Sequence, residues 1–341
     1  MALRRLVPAL LLQALLWTTL PGPAGAVPEP AAGLGRPHDP AIVSGAQLAA
    51  LPLRGTSQLL LRRVVDGRVE PIPFQFDARD EDGELVVDGP DGFELDDNDE
   101  LVFMAKDAGE RAPPGLLPED CEAILEIELA NPLRERARAW AYLFAYRHPE
   151  PAPVFEPYVR FDLERREARS DSYRVSYAAE RNFFTGIEIP RSGGGNAGNL
   201  LRQTRMRGSP TFSFLFADLS FDFTEQNSIV QIEGVRTGPV RAVRRVRLSV
   251  DLGALFPDLP SGTAYTYHYP TSFLTPTEIA FPWIMVQTLK DFRFENVFEF
   301  RDEALPLRYF DAWYPDGIAL SPEHPLELRT AEDREWWVHS G

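Results

Sequence analysis

The chain of 341 residues has one cysteine, five histidines and only two lysines, Lys106 and Lys290. A single thiol, Cys121, excludes an internal disulfide framework and any zinc or iron–sulfur site built from several cysteines. It lies between Asp120 and Glu122, whose charge opposes a thiolate, so it reads as inert. The histidines, His38, His148, His268, His324 and His339, are scattered, with neither H-E-x-x-H nor another metal spacing. G-x-S-x-G is missing too, which removes the hydrolase nucleophile elbow. Beyond the N-terminus no apolar run approaches the roughly 20 residues of a membrane-spanning helix, and no long segment keeps a 3.6-residue period. Positive charge is scarce overall: 35 basic residues face 51 acidic ones, for a net charge of −16. That balance argues against duplex nucleic acid as a partner, because phosphate binding needs a basic footprint.

What is present begins with an export signal. Arg4 and Arg5 precede an apolar stretch from Leu6 to Leu20, followed by Pro21, Pro23 and small residues up to Ala26. This is the pattern of a cleaved signal peptide over 1–26, without the cysteine of a lipoprotein. The expected location is periplasmic or secreted, and processing deepens the charge from −16 to −18 by removing two arginines. Residues 27–40 read as an extended leader rich in proline, glycine and alanine.

Short alternating runs separated by turn residues then dominate. Leu59–Leu61, Ile72–Phe76, Leu101–Phe103, Ile124–Leu129 and Trp140–Tyr146 predict a small N-terminal β-sandwich over 41–147. The proline-rich segment 148–157 predicts a stiff linker. Residues 158–341 predict a larger, mostly antiparallel β-sandwich, making the whole chain all-β. Its clearest run is Val240–Leu252, where Val246, Leu248, Val250 and Leu252 share one face and Arg245, Arg247, Ser249 and Asp251 the other. The chain stops just after Trp336-Trp337-Val338-His339, which reads either as a cap on this sandwich or as the start of a strand in a longer product.

The densest charge lies in 77–100, with twelve acids and one base, Arg79. Two readings stand. One is a pair of solvated hairpin turns that use Asp and Gly for their geometry. The other is a Ca²⁺ site, since a hard cation takes six to eight oxygens, with Asp77, Asp80, Asp82, Asp96 and Asp99 as ligands. An EF-hand is excluded: with Gly83 at the sixth loop position, the first and twelfth fall on Ala78 and Gly89.

Pro73–Gly83, Asp99–Phe103 and Ala108–Arg111 together resemble the N-terminal sandwich of secreted bacterial proteins associated with glycan degradation. Gly238–Val243 is similar to a strand of the β-super-sandwich in the same families, which are related to galactose-mutarotase-like carbohydrate-active domains. The resemblance implies a fold class and a carbohydrate setting, and brings no catalytic residue to any position here.

Two further constellations bear on function. Arg241, Arg245 and Arg247 predict a stripe on one strand face, suited to bidentate recognition of carboxylate or sulfate. The opposing reading pairs these arginines with the chain's own surplus of acids. Tyr265, Tyr267 and Tyr269 alternate onto one face of a strand and His268 onto the other. Tyr267 or His268 could serve as a base with Arg245 steadying charge, Tyr265 and Tyr269 could stack on sugars, or the strand could simply be half-buried sheet. Gly193-Gly-Gly195-Asn-Ala-Gly198 matches G-x-G-x-x-G, but antiparallel surroundings make it a flexible hairpin tip or site-covering loop and not a dinucleotide site. The expectation is an exported glycan-binding protein, with a lyase-like enzyme on anionic polysaccharide and a non-catalytic cell-envelope module as alternatives.

Overall fold

In the computed structural model the described residues run from 34 to 320, apart from 91, 119, 133, 135, 150, 152, 180–182, 215–216, 251–260, 281–286, 305–306 and 310–317. The segment 1–26, expected to be a signal peptide, and Trp336–His339 lie outside the described residues. The fold is all-β, as the alternation predicts: the strand pairings are antiparallel, and among the described residues no helix reaches seven residues. None is long and apolar enough to cross a membrane.

The first region contributes β1 (Pro40–Ser44), β2 (Leu59–Val65), β3 (Arg68–Pro71), β4 (Phe74–Asp77), β5 (Glu100–Met104), β6 (Ala123–Ala130) and β7 (Arg138–Ala145). They form two sheets, β3-β2-β7-β6 and β1-β5-β4. Leu59 and Leu61 of β2, Leu143 of β7, Phe76 of β4 and Leu101 and Phe103 of β5 meet in one core between them. Burying each such side chain contributes about 1.5–3 kcal/mol.

β5 shows why the stack continues beyond this sandwich. Leu101, Val102, Phe103 and Met104 are all fully buried, so the strand lacks the usual apolar-in, polar-out alternation. A strand buried on both faces reads as a continuous apolar run. Leu101 and Phe103 face the first core, whereas Val102 and Met104 pack against Val240 and Tyr269 of the second region.

That region contains β8 (Arg160–Asp162), β9 (Glu167–Arg169), β10 (Arg174–Tyr177), β11 (Phe184–Glu188), β12 (Leu201–Phe214), β13 (Ala217–Ser220) and β14 (Phe223–Thr224). It continues with β15 (Ser228–Thr237), β16 (Ala242–Val250), β17 (Ser261–His268), β18 (Phe273–Leu274), β19 (Thr277–Ala280) and β20 (Leu289–Phe300). A short pair, β21 (Leu307–Tyr309) and β22 (Ile318–Leu320), ends the described chain. The sheet β15-β16-β17-β18 offers one face to the first region. Its other face meets the sheet β11-β10-β9-β8 through His268, Tyr173 and Tyr177. The longest strands, β12 and β20, pair with each other, and β13 and β14 lie on the far side of β12.

Among the described residues no strand lies between Ala145 and Arg160, where Val154 is fully exposed. The chain is fastened again at Tyr158. Its N–H donates to the Pro239 carbonyl at 3.0 Å, and its hydroxyl donates to the Asp107 carboxylate at 2.9 Å. Burial pushes the Asp107 carboxyl up, against the opposing pull of the Tyr158 hydroxyl.

Candidate functional site

The acidic segment, the arginine stripe and the tyrosine strand, read separately in the sequence, converge on one contact between the two regions. The cause is visible in the register of β4 and β5, which places Asp77 directly opposite Glu100. Two carboxylates facing each other across neighbouring strands repel, and here they are also withdrawn from water. Arg241, 1% exposed, resolves the conflict. Its Nε donates to Asp77 Oδ2 at 2.8 Å, one Nη to Glu100 Oε2 at 2.6 Å and the other to the Tyr269 hydroxyl at 2.8 Å. Arg79 holds the other Glu100 oxygen at 2.6 Å. Burial pushes the Glu100 carboxyl up, and the two guanidinium groups more than offset this, leaving it below the ordinary carboxylate range.

Gln75 completes the joint. Its amide oxygen accepts the backbone N–H groups of Val240 and Arg241 at 3.0 and 2.9 Å, and its amide nitrogen donates to Asp77 at 2.9 Å. Replacing Gln75 with leucine leaves both backbone donors buried without their acceptor. The expected loss is about 1–3 kcal/mol of unfolding free energy. Urea denaturation of Q75L beside Q75E, which keeps an acceptor, checks this: equal midpoints for wild type and both variants would contradict it.

Farther along the same face, Arg245 pairs with Glu84 and Glu233 and donates to the Leu85 carbonyl at 3.0 Å. Arg247, more than half exposed, pairs with Glu233 at 2.7 Å. The half-buried Tyr265 hydroxyl accepts the Leu85 N–H at 3.3 Å, and Tyr265 and Tyr267 pack with Leu85, Val87 and Val243. Arg241, Arg245 and Arg247 lie along one face, which the β16–β17 register sets beside Tyr265 and Tyr267, and this face meets the first region. Arg241 and Tyr269 are sealed inside the contact, and Arg245 is held by protein carboxylates. The partners Gln75, Arg79, Glu84 and Glu100 carry no sequence signal of this role, since they become neighbours only through folding.

His268 lies on the opposite face of β17, as its alternation predicts, and is fully buried. Its Nε2 meets the Tyr177 hydroxyl at 2.7 Å and its Nδ1 the Tyr173 hydroxyl at 3.3 Å. The Tyr173 hydroxyl donates its proton to the Tyr269 carbonyl at 2.8 Å, so Nδ1 must be the donor and Nε2 the acceptor. Arg244, on the same face, sits with its guanidinium 4.4 Å from the Tyr177 ring centroid. Burial, reinforced by the Arg244 charge, pushes the imidazole down to about 3, so it is neutral across ordinary pH. A histidine without solvent access and with both nitrogens engaged is a core polar link. This corrects the reading of His268 as a general base.

The cation candidates are divided between roles. Asp77 belongs to the Arg241 contact. Asp99 accepts the backbone N–H groups of Arg79 and Asp96 at 2.9 and 2.7 Å, and Asp80 those of Asp82 and Glu84 at 3.0 and 2.9 Å. Asp96 accepts the Asn98 N–H at 3.1 Å, and exposed Asp82 sits at the turn tip. Among the described residues no three His, Cys, Asp or Glu side chains converge in a metal-like group. The glycine-rich segment lies in the connection between β11 and β12, which belong to different sheets and are joined there by one isolated antiparallel bridge, Glu188 to Asn199, with Gly194 in the left-handed region at φ 87°. A side chain at Gly195 would come within 2.1 Å of the Ile189 carbonyl oxygen.

The outer face of β12 presents Arg205, Arg207, Ser209 and Thr211. Arg207 and Ser209 both reach Asp222, at 2.6 Å each, and Thr211 bonds Ser220 at 2.9 Å. These arginine and hydroxyl groups remain at the surface, with Arg205 and Arg207 more than half exposed.

No protein-family profile matches the chain, and no curated protein does. Among solved structures it is similar to a protein in glycosyl hydrolase family 38 from Enterococcus faecalis, with 11% identity and a TM-score of 0.41, covering 79% of this chain and 32% of that one. An α-mannosidase from Enterococcus faecalis V583 gives 12% identity and a TM-score of 0.40, covering 78% of this chain and 30% of that one. The chain thus spans about a third of the length of these structures.

Proposed function

We propose that the chain is an exported, carbohydrate-associated β-sandwich protein that binds an acidic glycan without transforming it. One observation carries the preference for binding over catalysis. The groups suited to proton abstraction or charge stabilisation, His268, Arg241 and Arg245, are engaged in joining the sheets. On the outer face of β12, Arg205 and Arg207 are paired with Glu299 and Asp222, but both guanidinium groups stay more than half exposed, where the carboxylate of a uronate-bearing sugar can compete for them and the nearby hydroxyls can meet its own. The carbohydrate setting comes from the resemblance of the β4–β5 and Gly238–Val243 phrases to secreted glycan-associated sandwiches.

A glycan array run with and without EDTA tests this reading. Retention of uronate-bearing or sulfated glycans over neutral ones, weakening as salt rises, is the expected result. Failure to retain any glycan in either condition would reject it in favour of a cell-envelope assembly module. Release by EDTA would bring the acidic turns in as a Ca²⁺ site supporting the bound sugar. Turnover of a retained polysaccharide would restore the lyase reading, with its base somewhere other than His268.

A further inference from the structure

The long β12–β20 ribbon ends at β20, and among the described residues no strand pairs with the other edge of β20. An open strand edge offers a row of backbone donors and acceptors to another chain, and proteins usually blunt such edges. β15, the edge strand of the neighbouring sheet, is blunted. A bulge interrupts its ladder between Ile232 and Gly234, and Glu233 there is held by Arg245 and Arg247. β20 has a comparable device only at its start, where Lys290 is bulged out of the ladder and held by Asp218. From Asp291 to Glu299 it pairs with β12 over nine consecutive residues without a register shift, and it contains no proline.

The charges along β20 select a partner. Asp291, Arg293, Glu295 and Val297 are exposed and alternate onto the face that β12 presents as Arg205, Arg207, Ser209 and Thr211. We propose that β20 pairs antiparallel with β20 of a second copy of this chain, in the register centred on position 294. A two-fold axis there places Arg293 of each copy opposite Glu295 of the other, giving two identical opposite-charge pairs.

The registers one step to either side are disfavoured by the same side chains. A shift that centres the pairing on Arg293 sets the two arginines against each other and Asp291 against Glu295. Centring it on Glu295 sets the two glutamates together and Asp291 against Glu299. Of the next two, centring on 296 pairs Arg293 with a Glu299 that Arg205 already holds, and centring on 292 leaves only three residues of the unshifted ladder paired. Intermediate registers turn the polar face of one copy onto the apolar face of the other. The dimer joins two β12–β20 ribbons into one continuous sheet, with the arginine- and hydroxyl-bearing faces side by side.

Sedimentation equilibrium of the full chain tests this, with dissociation expected at roughly micromolar concentration. R293E puts a glutamate opposite Glu295 twice per dimer and should weaken association by about 10- to 100-fold. E295R should weaken it similarly, while R293E/E295R restores the complementary pairs and should return to within about threefold of wild type. These side chains are exposed, so circular dichroism should report an unchanged fold in all three. A wild type that stays monomeric at about 100 μM, well above the expected dissociation constant, would overturn the proposal, as would a double variant no tighter than either single one. Because sedimentation is read without sugar, a failed glycan array leaves this result standing.

Discussion

R241M should unfold at markedly lower urea concentration than wild type, with a loss of about 3–5 kcal/mol. Methionine fills much of the arginine stem's volume, so the loss reports the removed charge more than a cavity. Without the guanidinium, Asp77, whose side chain is 0% exposed, and Glu100, at 15%, face each other across β4 and β5, with Arg79 left on Glu100 and only the neutral Gln75 amide on Asp77. R241K should recover little, because an ammonium cannot supply the separate donors that reach Asp77, Glu100 and Tyr269. Adding D77L to R241M removes the buried charge left behind and should regain part of the loss; a full double-mutant cycle measures the coupling. An R241M stability within about 0.5 kcal/mol of wild type, as for an ordinary surface substitution, would sink this account of the joint.

The same contact sets a pH dependence. The Glu100 carboxyl is held below its unfolded-state value of about 4.3. Its contribution is therefore fully present above that value and lost as pH falls through the lower folded one. Wild type should lose this part of its stability on acidification below about pH 5. R241M, already without the larger of the two attractions, should show a shallower fall.

G45A is expected to cost about 3 kcal/mol, a larger effect than a single methyl group normally produces. A Cβ built at Gly45 falls 1.6 Å from the Asp96 carbonyl oxygen, a backbone atom that no rotamer change can move aside. Gly45 and Ala46 also donate their N–H groups to the Asp99 and Asp97 carbonyls at 2.7 and 3.0 Å. Separating the segments to admit the methyl group weakens both bonds, each worth about 0.5–1.5 kcal/mol. Urea denaturation reports the total, and hydrogen exchange at the Gly45 and Ala46 amides reports its location. Unchanged exchange there would place the damage elsewhere and contradict this origin.

Strand alternation made much of this arrangement legible in advance. A period of two separates His268 from Tyr265 and Tyr267 wherever the strand lies, and sets Arg245 and Arg247 together. The apolar run at Leu101–Phe103 likewise announced a strand. What period alone does not supply is the identity of the layer opposite each face. Arg241 and Asp77 are 164 positions apart, and the opposition of Asp77 to Glu100 depends on the register across a 22-residue connection. Twelve acids between positions 77 and 100 therefore read as one loop property. In the fold they divide into turn acceptors such as Asp80 and Asp99 and the strand-end pair Asp77 and Glu100, which calls for a guanidinium.

That sequence separation also sets a clock. A ribosome adding about 5–20 residues per second reaches Arg241 roughly 8–33 s after Asp77. Through that interval the nascent first sandwich has an unfinished side, with Val102 and Met104 uncovered and two carboxylates waiting for their counter-charge. Its completion must wait for the second half of the message, and during the wait that side is where a chaperone would find a hold.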